Sequence, residues 1–163
     1  KMSIIKMMDR LNPKRIVIVS SAPQIRFPDC YGIDMAKLEG LVAFRAALEL
    51  LKERNLYHIV DEVYAKCKAQ ENYHDNDVVN YVTAIYEPFA PQEISDKIAE
   101  MLSSPEINAE VKIIFQTVED LHTACRKNIG EWYFTGDYPT PGGNRVVNRA
   151  FMNFYEGKDA RAY

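Results

Sequence analysis

Apolar residues recur at Ile4, Met7, Met8 and Leu11, the spacing of one stripe along a helix. Asn12-Pro13 ends that stripe, because the residue before a proline is pushed out of the helical region. Lys14-Arg15 leads into Ile16-Val17-Ile18-Val19, a continuous β-branched run that predicts a strand buried on both faces, as in a parallel sheet. Helix, tight loop and strand make half of a βαβ unit. No capping residue or strand precedes the helix and the chain does not begin with Met, so the expectation is a chain cut inside a helix. Residues 20–34, with Pro23, Pro28 and Gly32, form a loop directly after the strand, at the edge where open α/β sheets bind ligands.

From Met35 to about Ser104 the pattern is helical. Leu38, Leu41, Val42, Leu48 and Leu51 give one stripe, and Leu56, Ile59, Val60, Val63, Tyr64 and Cys67 a second. After the polar break at 71–76, Val78, Val82, Ile85 and Tyr86 give a third, ended at Glu87-Pro88. Pro91 opens a fourth, with Ile94, Ile98, Met101 and Leu102 buried, and Ser103-Ser104-Pro105 closes it. Val111-Lys112-Ile113-Ile114-Phe115 is the second strand. Thr117, three residues before Asp120, caps a helix carrying Val118, Leu121, His122 and Cys125 to about Lys127. An aromatic loop from 129 to 143 precedes a last helix from Asn144 to Tyr155. The fold class expected is α/β, mainly helical, with two short strands. Its parts are an α/β core (1–40), a helical insertion (41–110) and a C-terminal strand, helix, aromatic loop and helix (111–163).

Composition narrows the function classes. At 163 residues the chain is one domain's length, enough for a sizeable core without disulfide or metal staples. A net charge of −3 argues against a general nucleic-acid binder, which carries a basic face. No apolar run approaches the roughly 20 residues of a membrane span, so a cytoplasmic chain with no membrane partner is expected. Charge is uneven: residues 35–110 hold seven basic and fourteen acidic side chains, whereas residues 1–34 hold six and three. The negative charge therefore belongs to the helical insertion. Three cysteines far apart, Cys30, Cys67 and Cys125, suit reduced thiols; Cys67 and Cys125 occupy apolar helix positions and are expected in the core.

Candidate chemistry is sparse. His58, His74 and His122 fall on different elements without metal-type spacing. Asp61-Glu62 and Glu119-Asp120 are adjacent, so on a helix each pair diverges by about 100° and reads as a solvated face. Gly142-Gly143-Asn144-Arg145 ahead of the last helix offers backbone N–H groups and a guanidinium to an anion, or equally a turn and cap.

Two stretches are more specific. Ser20-Ser21-Ala22-Pro23-Gln24-Ile25-Arg26-Phe27-Pro28-Asp29-Cys30-Tyr31-Gly32-Ile33-Asp34-Met35 resembles the segment that follows the phosphoribosyl-binding half of the glutamine phosphoribosylpyrophosphate amidotransferase (amidophosphoribosyltransferase) family. Phe134-Thr135-Gly136-Asp137-Tyr138-Pro139-Thr140 is similar to that family's C-terminal motif, and Ile114-Phe115-Gln116 to its intervening strand. The likeness covers residues 3–40 and about 111–155 and leaves the helical insertion unmatched. It implies part of a type I phosphoribosyltransferase-like sheet, joined in the full protein to an N-terminal glutaminase domain. The implied reaction displaces pyrophosphate from phosphoribosylpyrophosphate with ammonia from glutamine, giving phosphoribosylamine for purine synthesis.

The same likeness implies what this chain lacks. The family's nucleophilic N-terminal Cys is not at Lys1, and its paired-acid phosphoribosylpyrophosphate loop belongs just before the opening helix. No catalytic residue is therefore assigned, and the isolated chain is expected to be inactive. Magnesium is expected in the full-length parent, with none held by this chain. The family's iron–sulfur branch needs cysteines where this chain has a displaced Cys30 and Asn128-Ile129-Gly130-Glu131-Trp132-Tyr133, so no cluster is expected and Trp132 and Tyr133 should fill that volume by packing. At the periphery of the substrate pocket the expected residues are Ser20, Ser21, Arg26, Tyr31 and Asp34, with Arg26 facing phosphate or pairing with Asp29 or Asp34. A homo-oligomer is expected, the first strand's open edge being exposed or paired with another chain. The alternative is a non-catalytic regulatory or interaction module, with the acidic insertion contacting a partner.

Overall fold

A computed structural model describes residues 2–28, 35–127 and 130–162. Helix α1 (Met2–Asp9) leads into strand β1 (Arg15–Ser20). Helices α2 (Val42–Glu53), α3 (His58–Ala69) and α4 (Pro91–Leu102) come before strand β2 (Glu110–Phe115), followed by α5 (Val118–Ala124), α6 (Trp132–Thr135) and α7 (Pro141–Tyr155). The strands pair in parallel, Arg15 beside Glu110 through Ser20 beside Phe115. The chain is thus α/β and mainly helical, with a two-stranded parallel sheet.

Local chemistry explains most boundaries. Asn12 takes a left-handed backbone (φ 53°) after α1, and Asn55 (φ 58°) does the same after α2, where the Leu56 N–H reaches back to the Leu51 carbonyl at 2.8 Å. Thr117 Oγ1 accepts the Asp120 N–H at 3.0 Å to start α5, as the spacing predicts. At α4, Pro91 occupies the first turn and Glu93 reaches back to accept the Ala90 N–H at 2.7 Å.

One continuous core joins α2, α3, α4 and α7 to Ile113 of β2 and Phe27 of the loop after β1. Phe44 meets Phe151 and Phe154 edge-on, with Phe44–Phe154 ring centroids 5.0 Å apart and Phe44–Phe151 6.3 Å. A smaller cluster of Ile5, Ile16 and Ala109 holds α1 against the sheet.

Four expectations are corrected. The strand is not buried on both faces: Ile16 is buried, whereas Val17 is 45% and Val19 71% exposed, because α1 and α4 cover one side only. The third stripe forms a 3-10 helix (Tyr81–Ile85) rather than an α-helix, held between its Asn80 cap (Oδ1 accepting the Val82 N–H) and Tyr86, whose hydroxyl reaches the Arg26 carbonyl. Helix α7 starts at Pro141, so Gly142 and Gly143 lie inside its first turn rather than ahead of it. Cys125 is exposed where α5 ends, while Cys67 is buried, and that burial pushes its thiol up to about 12, so it stays protonated at neutral pH.

The Glu93 carboxylate at the start of α4 is held below its ordinary value, first by the Ala90 N–H and then by Arg54, which contacts it directly. A lowered carboxylate adds stability above its ordinary value that is lost as pH falls through the lowered one. Thermal unfolding at neutral pH should therefore show Glu93→Gln below wild type in Tm. The gap should close as the pH drops below the carboxylate range; a gap independent of pH would show that the contact does not depend on charge.

Candidate functional site

Beyond the carboxyl ends of β1 and β2 opens a cleft of about 560 Å³. That is the size of a small-molecule site, at the edge where open α/β sheets place ligands. Its walls come from Pro23, Gln24 and Arg26 after β1, Gln116 and Thr117 after β2, Tyr86 and Phe89 after the 3-10 helix, Ser95 on α4, and Phe134 and Thr135 on α6.

The loop after β1 is pinned from three directions. Ser20 Oγ bonds within its own turn, donating to the Ala22 carbonyl at 2.9 Å. The Arg26 and Phe27 N–H groups donate to the Tyr133 carbonyl at 2.8 and 3.0 Å. Tyr86 Oη donates to the Arg26 carbonyl at 2.5 Å, and Tyr138 Oη to the Pro28 carbonyl. Burial pushes the Tyr86 hydroxyl far up, so it remains a donor.

Arg26 lines the cleft half-buried, its guanidinium carbon 5.4 Å from the centre of the Tyr86 ring. It donates from Nη2 and Nε to Gln24 Oε1 at 2.9 and 3.2 Å. Gln24 is only 5% exposed, and its own Nε2 donates to the Pro91 carbonyl at 2.7 Å and to Ser95 Oγ at 2.8 Å. Loss of hydration lowers the Arg26 pKa, which Tyr86 partly offsets. Arg stays charged nonetheless.

Of the residues expected at the pocket's periphery, Arg26 lies in the cleft wall, while Ser20 and Ser21 sit at the end of β1 outside it. Tyr31 and Asp34, with Asp29 and Cys30, lie outside the described residues. Gln24, Ser95 and Tyr86 complete the site without a sequence signal for that role. Gln24 and Ser95 stand 71 positions apart, and no short-range pattern connects them.

Other sequence candidates are occupied structurally. Arg145 binds the Asp75 carboxylate and the Glu71 and Tyr73 carbonyls, so its guanidinium clamps the 71–75 loop instead of waiting for an anion. His122 contacts Glu131, tying α5 to the start of α6. Trp132 and Tyr133 pack on each other, ring centroids 5.1 Å apart. Several of the cleft's hydroxyls donate to backbone carbonyls, Thr83 to Asn80, Ser95 to Pro91, Thr135 to Glu131 and Tyr86 to Arg26, while Thr117 Oγ1 accepts the Asp120 N–H. Such an arrangement can bind and orient a ligand; it does not activate one of these hydroxyls as a nucleophile. Among the described residues, no three His, Cys, Asp or Glu side chains converge to hold a metal ion, and no helix is long and apolar enough to cross a membrane.

Compared with known proteins, the chain matches no family model, no curated protein and no solved structure.

Proposed function

We propose that this chain is the C-terminal portion of an amidophosphoribosyltransferase, a glutamine-dependent pentosyltransferase of purine synthesis. One observation carries the reading. The two stretches that resemble the family, separated by about a hundred residues of largely unrelated sequence, are hydrogen-bonded to each other beyond the ends of two parallel strands. Tyr138 of the second donates to the Pro28 carbonyl of the first and Phe27 lies against Gly136, while the Arg26 and Phe27 N–H groups reach Tyr133 just before the second stretch. A helix leading into a parallel strand pair also suits part of a phosphoribosyltransferase-like sheet.

In the whole protein, hydrolysis of glutamine supplies ammonia, whose nitrogen forms a bond to the anomeric carbon of phosphoribosylpyrophosphate as pyrophosphate leaves. This portion supplies a wall at the strand ends and no reacting group. The paired-acid loop, rather than the residues of this chain, would hold magnesium, which would supply charge neutralisation to the leaving diphosphate. The whole protein is proposed to be cytoplasmic and a homo-oligomer, and the bare sheet face at Val17, Val19 and Ile114 is apolar surface that an assembly would cover.

The coding sequence upstream of Lys1 tests the reading. It should encode a mature N-terminal Cys and the paired-acid loop, and the full-length product should release pyrophosphate from phosphoribosylpyrophosphate only when glutamine or ammonia is supplied. Absence of either feature, or no pyrophosphate release, overturns it.

A further inference from the structure

We propose that Arg26 is an oxyanion receptor, held ready by a relay through Gln24 to Ser95 and the Pro91 carbonyl on α4, and that the cleft takes a small molecule presenting a phosphate or carboxylate group to it. The inference adds a ligand contact to the site of the function proposed above. It stands on this chain's own geometry.

A charged guanidinium withdrawn from water normally meets a carboxylate, because an unpaired charge in a poorly hydrated place is costly. Among the described residues Arg26 has no carboxylate within bonding distance. Its two donated bonds both go to one neutral amide oxygen, Gln24 Oε1. A guanidinium has five N–H donors in a planar fork. Two are thereby satisfied, and among the described residues no side chain takes the rest of the fork, which has the shape to meet the paired oxygens of an anion.

The amide that meets Arg26 is itself held in one orientation. Gln24 Nε2 makes two bonds to α4, which obliges Oε1 to point at the guanidinium. Holding an arginine with a neutral acceptor sets its direction without cancelling its charge. A Glu at the same position would do the opposite. The guanidinium carbon also stands 5.4 Å from the centre of the Tyr86 ring, within cation–π range. Two carboxylates, Glu87 and Glu119, also line the cleft, and neither bonds to Arg26.

The experiment uses the full 163-residue chain, isotope-labelled, titrated separately with inorganic phosphate and with acetate at constant ionic strength. Amide and guanidinium resonances of Gln24, Arg26 and Ser95 are followed by NMR. Saturable shifts at these residues are expected with at least one of the two anions, and the better of the two identifies the oxyanion class. Arg26→Gln should weaken binding at least about tenfold, the loss of a charge-assisted bidentate contact. Gln24→Glu, which supplies an internal counter-ion, should weaken it comparably while the spectrum elsewhere stays folded. Linear, non-saturating shifts with both anions, or unchanged binding in Gln24→Glu or in a folded Arg26→Gln, overturn the proposal. Pyrophosphate release by the full-length product is a separate readout, so the receptor and the proposed function can fail independently.

Discussion

Replacing Phe151 with Ala should destabilise the chain by about 3–5 kcal/mol, as truncating a buried phenylalanine does when its surroundings cannot collapse. Phe151 is fully buried on α7, edge-on to Phe44 of α2, and its ring also meets Phe154 and Tyr155. Collapse is resisted from both sides, because Phe44 is itself fully buried and already wedged against Phe154 at 5.0 Å. Small domains have only about 5–15 kcal/mol of stability in total, so this one change removes a large share. Urea unfolding followed by far-UV circular dichroism measures it. A loss under about 1 kcal/mol would mean the aromatic cluster repacks, contrary to the close packing described.

The second large effect is expected at Gly136, where a Val should cost about 1–2 kcal/mol for the left-handed backbone and about 1–3 kcal/mol more for overpacking. Gly136 has φ 84°, and a Cβ there would stand 2.9 Å from Phe27 Cζ and 2.8 Å from Asn80 Nδ2. Asn80 Nδ2 also donates to the Gly136 carbonyl at 3.0 Å, so the substitution attacks the joint between the loop after β1, the 3-10 helix and α6 together. Gly142→Ala is the control: nothing lies within 4 Å of a Cβ there, and Ala favours the helix. Paired thermal melts should show Gly136→Val well below wild type and Gly142→Ala at or above it. Equal melting of the two variants would remove the steric argument.

Much of the architecture was legible because local rules and tertiary packing agree. Pro91 marks the start of α4 whatever surrounds it, and Thr117 marks α5. The failures have equally local causes. A run such as Ile16-Val17-Ile18-Val19 says that the backbone is extended; how many of its faces are covered depends on helices elsewhere, and here α1 and α4 lie on the same side. Val78, Val82, Ile85 and Tyr86 are spaced for an α-helix, yet Tyr86 is drawn to the Arg26 carbonyl and Asn80 to the Val82 N–H and Gly136, which fits only a short, tight turn. At the site, Arg26 could be singled out as a cation after a strand. The neutral amide that holds it could not, since the Gln24–Ser95 bond exists only once α4 folds back over the loop.

The parallel register has a kinetic side. Arg15 and Glu110 are partners 95 positions apart, so the first strand bond closes a very long loop before it returns any energy. Helices α2, α3 and α4 lie within that loop and can assemble from nearer contacts, so the ladder is expected to form after them. Pulse-labelling hydrogen exchange during refolding would then protect α2 and α4 amides ahead of those in β1; simultaneous protection would contradict this order. The cleft is built at the ends of that ladder, and Gln24 reaches α4 across it. On this account ligand-binding competence arrives last in folding.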